Sequence, residues 1–429
     1  MSDLLDLADE LWAGEPTTTR FDPMRTFGGE DIADGVFFLA SFGNVTAVDT
    51  GDALLLVDTG LEALATGNHA AVRQWSDAPV HTAVFTHGHI DHVGGLAPFE
   101  ADAAAHGRTV SVVAHEAVPR RFDRYAATNG YNTVINRRQF GAETGFTFPG
   151  TFRLPDTTYT DRLTLTINGE DFELHHGRGE TDDATWVFMP QRCTLCSGDF
   201  FIWASPNAGN PQKVQRYAAD WARALRDMAA CNAHTLLPGH GPPILGADRV
   251  RRALVDTAEF LEVLEGQTRD LMNAGASLDD VLHTVEVPAH LAQRPYLQPI
   301  YDEPEFVVRN VWRLLGGWWD GNQATLHPAP EDAVATEIAD LAGGPGVLAD
   351  RARALASAGD LRLAGHLIEL AANAAPDDPG VHRIRAAIMR KRREAATSTM
   401  ARGIYGYSAQ ESEAVLESAS TDDEDDGRR

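Results

Sequence analysis

Apolar residues form short runs through the first half of the chain and recur at helical spacing through the second. Residues 37–40, 45–48 and 54–57 are brief apolar runs set apart by Gly and Asp, which predicts three adjoining strands. Residues 61–75 carry helical spacing, 80–85 form another apolar run, 96–105 predict a helix and 110–114 a strand. This alternation indicates α/β layering. Leu163, Leu165 and Ile167 alternate with Thr164 and Thr166, Asn168-Gly169 follows, and alternation resumes at Phe172 and Leu174, which is a hairpin signal. Runs at 186–189, 194–196 and 235–237 complete the strand-rich half. From residue 247 the character changes: Val250, Leu254, Ala258, Leu261 and Leu264 fall at helical spacing. Residues 282–304 are proline-rich and read as irregular, 306–319 as an aromatic helix, and 348–390 as two helices joined at Gly359, packed like a helical-repeat hairpin. Residues 411–429 contain the run Thr421-Asp422-Asp423-Glu424-Asp425-Asp426 and read as a disordered acidic tail.

Composition narrows the classes. A hydrophobic content of 43% supports a full globular core. With 36 basic against 62 acidic residues, the net charge of −26 repels phosphate backbones and excludes nucleic acid as a partner. No apolar run reaches the roughly 18 residues of a membrane span, and residues 1–15 lack the basic start of a signal peptide, so a cytoplasmic location is expected. Cys193, Cys196 and Cys231 are too few for a disulfide framework, and Cys193-x-x-Cys196 falls in a strand-like stretch, so these read as structural thiols.

The chemistry concentrates where apolar runs end. After the run at 80–85 comes Thr86-His87-Gly88-His89-Ile90-Asp91-His92-Val93-Gly94-Gly95. Imidazole and carboxylate are the donors divalent zinc prefers. At this spacing His87 and His89 can face one metal while Asp91 and His92 turn toward a second. Asp58, Glu180, Asp199 and His240 also stand where an apolar run meets a Gly-rich loop, and such loop ends gather on one face of a layered α/β fold. Asp58 is expected to orient a ligand histidine from behind, and His176 is a weaker candidate for the same role. Residues 122–150, with Tyr125, Tyr131, Asn132, Asn136, Arg137 and Arg138, read as a polar insertion that could serve as a lid or anion-binding loop.

The order of these residues resembles the metallo-β-lactamase superfamily, whose T-H-x-H-x-D-H motif precedes a third metal ligand, a bridging aspartate and a last histidine. Glu180 stands where most of that superfamily has histidine, which resembles the type III alkyl sulfatases. Met189-Pro190-Gln191-Arg192, the segment Trp312-Arg313-Leu314-Leu315-Gly316-Gly317-Trp318-Trp319-Asp320-Gly321-Asn322 and Met400-Ala401-Arg402-Gly403-Ile404-Tyr405 resemble further segments of that branch. The resemblance implies a metallo-β-lactamase αββα sandwich over residues 1–246, a helical dimerisation domain over 247–410 and a homodimer. It implies two zinc ions, one held by His87, His89 and Glu180, the other by Asp91, His92 and His240, with Asp199 bridging. Asp91 and Asp199 become the catalytic carboxylates, and the reaction becomes hydrolysis of a small anionic sulfate ester by a metal-activated water. The same scaffold could open a lactone, thioester or phosphoester instead, or hold metal without turnover. Two departures bear on substrate. The branch's Thr-Leu-Arg-Gly stretch, which supplies a sulfate-binding arginine, is replaced by Asn207-Ala208-Gly209-Asn210-Pro211-Gln212-Lys213, leaving Lys213, Arg216, Asn136, Arg137 and Arg138 as candidate anion contacts. The sterol-carrier-like domain of larger relatives has no expected counterpart here. Three carboxylates against two divalent cations also leave the centre with about one positive charge, less than a histidine ligand would.

Overall fold

The computed structural model describes residues 4–14, 21–141 and 145–426, with side chains described to residue 420. The chain divides into two compact units, one of Met1–Asn129 and Pro149–Trp318, the other of Gly130–Phe148 and Trp319–Arg429.

The first unit is built on two sheets. One has seven strands in chain order: β1 (Gly28–Ala33), β2 (Val36–Ala40), β3 (Val45–Asp49), β4 (Leu54–Val57), β5 (Val80–Val84), β6 (Ser111–His115) and β7 (Thr157–Tyr159). Pairing is antiparallel from β1 to β4 and parallel from β4 to β7. The other holds β8 (Arg162–Ile167), β9 (Glu170–His176), β10 (Thr185–Met189), β11 (Thr194–Gly198), β12 (Thr235–Pro238) and β13 (Ile244–Leu245), in the order β13-β12-β11-β10-β9-β8. Central strands buried on both faces, such as β2, β4 and β11, form the middle of the sandwich. Phe38, Val48, Leu55 and Val57 of the first sheet share one apolar cluster with Phe172, Leu174, Val187, Met189 and Leu237 of the second. Outside the first sheet, the helix Ala65–Trp75 stacks Trp75 on Phe37 with ring centroids 5.4 Å apart. Outside the second, Trp186, Leu195 and Leu236 pack with Trp221, Leu225, Leu254, Leu261 and Val307, from the helices Ala218–Ala230, Ala247–Asn273 and Pro304–Gly316. This is the αββα layering expected. The change at residue 247 is a change from strand to helix and not a break in packing, because the apolar stripe read from Val250 to Leu264 covers the second sheet.

In the second unit, the helices Glu331–Ala342, Pro345–Ser357, Leu361–Ala374, Pro379–Ala395 and Thr399–Asp426 enclose Ala352, Ile368, Val381 and Met389. Gly359 takes a positive φ of 93° between two of them, as its turn requires.

Two expectations are corrected. Residues 122–150 are not a lid loop through most of their length: Ala117–Ala127 and Asn129–Phe140 are helices. Val118, Phe122 and Tyr125 give the first its buried face, which the intervening arginines hide in the sequence. Residues 411–426 of the acidic tail are helical within Thr399–Asp426, residues 427–429 lying outside the described ones; Ser412 is buried, and its Oγ accepts from Arg385 of Pro379–Ala395 at 3.0 Å.

The segment after β11 is pinned by the helical part of the same unit. Ser205 N–H donates to Gln298 O at 2.9 Å, and the buried Asp302 carboxylate accepts from Gly209 N at 2.6 Å and Asn210 N at 3.2 Å. A Cβ on Gly209 would lie 2.3 Å from the Phe306 carbonyl carbon, so backbone meets backbone there. Gly209→Ala is expected to cost about 1–3 kcal/mol, the range for overpacking a tight site. Urea unfolding checks this, and an unchanged midpoint would contradict the contact.

Candidate metal centre

Every donor of the centre stands just beyond the end of a strand of the first unit. β4 delivers Asp58, β5 leads into residues 86–89 and the short helix Ile90–Val93 that carries Asp91 and His92, the turn between β9 and β10 delivers Glu180, β11 delivers Asp199 and β12 delivers His240. Backbone contacts fix the loops to one another. Thr59 N–H donates to His92 O at 2.8 Å, and Asn44 N–H donates to Gly239 O at 2.9 Å. A Cβ on Gly239 would sit 2.1 Å from Asp199 Oδ1, so only glycine lets the His240 loop pass the aspartate.

The side chains gather into two groups. His87, His89, Glu180 and Asp199 form one, and Asp91, His92 and His240 the other. Asp199 joins them: its Oδ2 lies 3.7 Å from His87 Nε2, while its Oδ1 lies 3.2 Å from His92 Nε2 and 3.4 Å from His240 Nε2. Glu180 Oε2 is 3.8 Å from His89 Nδ1, and Asp91 Oδ2 is 3.6 Å from His240 Nε2. The structure therefore brings together all seven residues expected to bind metal.

Contacts behind the ligands set which nitrogen faces inward. His92 Nδ1 hydrogen-bonds Asp58 Oδ2 at 2.7 Å, which leaves Nε2 as the donor atom. Asp58 also accepts from Thr86 N at 2.7 Å and Thr86 Oγ1 at 2.6 Å, and Thr86 Oγ1 lies 3.0 Å from His87 Nδ1. His240 Nδ1 bonds the Phe42 carbonyl. Asp183 accepts from Gly88 N at 3.1 Å and from Arg121 Nε at 2.6 Å, holding the turn between the first two histidines. Glu180 Oε1 takes Arg216 and Asn207. The sequence pointed to Asp58 by its place after a strand. Thr86, Asp183 with Arg121, and Asn207 carry no such signal. His176 takes no ligand histidine: it stacks on His115 at 3.6 Å and bonds Ala184 O at 2.9 Å.

The donor set fits a pair of divalent cations. His92 Nε2 and Asp199 Oδ1 are buried without a hydrogen-bond partner, and His87 Nε2 and His89 Nδ1 face each other at 2.8 Å. Burial, aided by the neighbouring His92, pushes His87 down to about 3, and burial with His87 holds His89 well below the usual histidine range. Both imidazoles thus stay neutral with lone pairs directed inward. Burial pushes Glu180 up to about 8, against the pull of Arg216.

The other candidates are placed as follows. Lys213 is half-buried, and among the described residues no carboxylate lies within ion-pair distance of its ammonium. Burial, with Arg216 adding and Asp91 and Glu180 opposing, pushes it down to about 8. Arg216 is buried behind Glu180. Asn136, Arg137 and Arg138 belong to the second unit, where Asn136 donates to Asn132 O at 2.7 Å, Arg137 Nε to Phe146 O at 2.9 Å, and Arg138 lies 5.5 Å from the Tyr407 ring centre. Tyr301, which the sequence did not single out, is buried where Glu180 and Asp91 add to the effect of burial and hold its hydroxyl well above the usual tyrosine range. Cys193, Cys196 and Cys231 are free thiols, and burial pushes Cys196 up to about 12.

Residues 39–240 match the family described as the metallo-beta-lactamase superfamily, and residues 277–414 the one described as alkyl sulfatase dimerisation. A linear primary-alkylsulfatase of Pseudomonas sp. (strain ATCC 19151) is 27% identical over 399 residues, 86% of this chain and 74% of that protein. An (R)-specific secondary-alkylsulfatase of Pseudomonas sp. is 26% identical over 76% of this chain and 54% of its own length. The solved structure of the stereoselective inverting sec-alkylsulfatase Pisa1 from Pseudomonas sp. superposes with a TM-score of 0.81 at 23% identity, over 90% of this chain and 65% of that one.

Two measurements follow. Zinc binding to metal-free protein at pH 7 is expected to release protons, because a group with its pKa raised to about 8 is mostly protonated below that value and must lose its proton to bind. Calorimetry in buffers of differing ionisation enthalpy reads this directly; a buffer-independent heat would contradict it. Asp58→Ala is expected to weaken zinc binding about 10–100-fold in a chelator competition.

Proposed function

The chain belongs to the metallo-β-lactamase superfamily, in its alkyl sulfatase branch, and on that premise we propose that it hydrolyses sulfate esters of small alcohols with two zinc ions. The observation that carries the reading is the complete donor set, with Glu180 at the third-ligand position and Asp199 between the two groups. Bound there, paired divalent cations would supply Lewis acidity that makes hydroxide available near neutral pH. The chain's own residues do the rest. Asp199 and the four imidazoles hold the centre, and Lys213 receives the anionic head of the ester. Asp91 has the most exposed side chain of the three ligand carboxylates, 18% against 10% for Asp199 and 5% for Glu180, and is placed to take the attacking water's proton. Water oxygen bonds to the ester carbon as the carbon–oxygen bond breaks, and sulfate leaves with the electron pair. A relative described as stereoselective and inverting supports attack at carbon, since inversion requires that bond to break. Residues 277–414 match a dimerisation family, and the reading includes a homodimer in the cytoplasm. Among the described residues no helix is long and apolar enough to cross a membrane.

Purified zinc-loaded protein is expected to release sulfate from alkyl sulfates, with labelled water oxygen appearing in the alcohol. Asp199→Ala is expected to abolish release. Opening of lactones without sulfate release, or label in the sulfate, would overturn the substrate or the site of attack respectively. Lys213→Ala should raise KM about tenfold or more, the worth of one charged hydrogen bond. Because Lys213 is charged below its lowered value of about 8, KM should climb as pH rises through that value, and Lys213→Arg should flatten the climb. Sedimentation of a single 46.5 kDa species at micromolar concentration would contradict the dimer.

A further inference from the structure

Glu180 places a third carboxylate where a neutral ligand would leave the centre more positive, and the structure holds a counter-charge against it. Arg216, 3% exposed, pairs with Glu180 Oε1, and the same oxygen accepts from Asn207 Nδ2. Glu180 Oε2 is the oxygen that faces His89 Nδ1. One carboxylate oxygen is therefore occupied by a cation from behind and the other is presented to the centre. Arg216 is itself held at both ends: its guanidinium Nη1 donates to Asn207 O at 2.9 Å, and its backbone carbonyl accepts from Asn310 Nδ2 at 2.9 Å. Its Nε has no hydrogen-bond partner among the described residues. With metal bound Glu180 would be ionised, and would supply the compensating charge that a buried guanidinium requires.

We propose that Arg216 is a positioning residue that cancels the charge of Glu180, so that the centre receives the neutral donor histidine would give. Two divalent cations against three carboxylates leave one positive charge, and Arg216 adds the second. A carboxylate held at one oxygen also binds through the other alone, as an imidazole does through one nitrogen. The arginine and the glutamate form an exchangeable pair: neither is tolerated without its partner, and both together can be replaced by a neutral ligand. The inference rests on the metal-centre reading and not on the identity of the ester, and its test uses no substrate.

Zinc affinity by chelator competition and metal content by elemental analysis would be measured for Glu180→His, for Glu180→Gln, and for each combined with Arg216→Gln. Either single change leaves a buried cation facing the metal site with no counter-charge, so zinc binding is expected to weaken about 10–100-fold, the scale of disturbed outer contacts. Adding Arg216→Gln should recover at least tenfold in each background. A role for Arg216 in packing alone predicts the reverse, since the second substitution then removes a further contact. The proposal is overturned if removing the arginine brings no recovery in either background. Circular dichroism of each metal-free variant confirms that the fold is retained, and the two backgrounds keep the test decisive if one of them does not fold.

Discussion

Asp58 is the contact on which the metal centre depends most. Seven donors converge in a largely buried space, and each must be held from behind or it turns toward a nearer partner. The Asp58 carboxylate accepts from Thr86 N, Thr86 Oγ1 and His92 Nδ1, all at 2.7 Å or less. It thereby fixes His92 directly and His87 through the threonine. Its backbone has a φ of 59°, a left-handed conformation that costs a non-glycine residue about 1–3 kcal/mol. Strand β4 and the bonds around the carboxylate hold it there. Strain at this position is tolerated because relaxing it would release three hydrogen bonds in a buried site.

The converging candidate ligands were legible in the sequence because each is a local feature, a His, Asp or Glu at the junction of an apolar run and a Gly-rich loop. The strands were legible for the same reason, since alternation and short apolar runs are read over a few residues. What escaped is what depends on distant partners. Asp183 and Arg121 meet across 62 positions, and Arg216 meets Glu180 from a different loop. An arginine in a sequence looks the same whether it faces water, substrate or a ligand carboxylate, so Arg216 read as an anion contact. The helix Ala117–Ala127 escaped because Arg120, Arg121 and Arg124 break its apolar stripe, and one of those arginines is itself buried by its ion pair with Asp183.

The balance of charge explains why so many of these long-range contacts are ionic. A carboxylate in an apolar interior carries a desolvation cost that only a partner offsets. Asp183 has Arg121, and Glu180 has Arg216. Lys213 differs from these cations. It has no paired carboxylate among the described residues, and burial has already lowered its hold on its proton. In the proposed reaction it is this cation that would meet the anionic head of the ester.

The helical segment after residue 247 bears on the same chemistry. Residues 277–414 match a family described by dimerisation, yet the part of that match up to Trp318 packs in the unit that holds the metal donors. Asp302 ties Gly209 and Asn210 to it, Asn310 holds the Arg216 carbonyl, and Tyr301 enters the charged surroundings of Glu180 and Asp91. The loop carrying Asn207, Lys213 and Arg216 thus takes its shape from residues nearly a hundred positions later. Without these helices the second sheet would lose its apolar cover and the segment that braces Glu180 would lose its hold. Completing the centre therefore requires the helices at least as far as Pro304–Gly316, and the boundary of the catalytic machinery lies beyond the last strand.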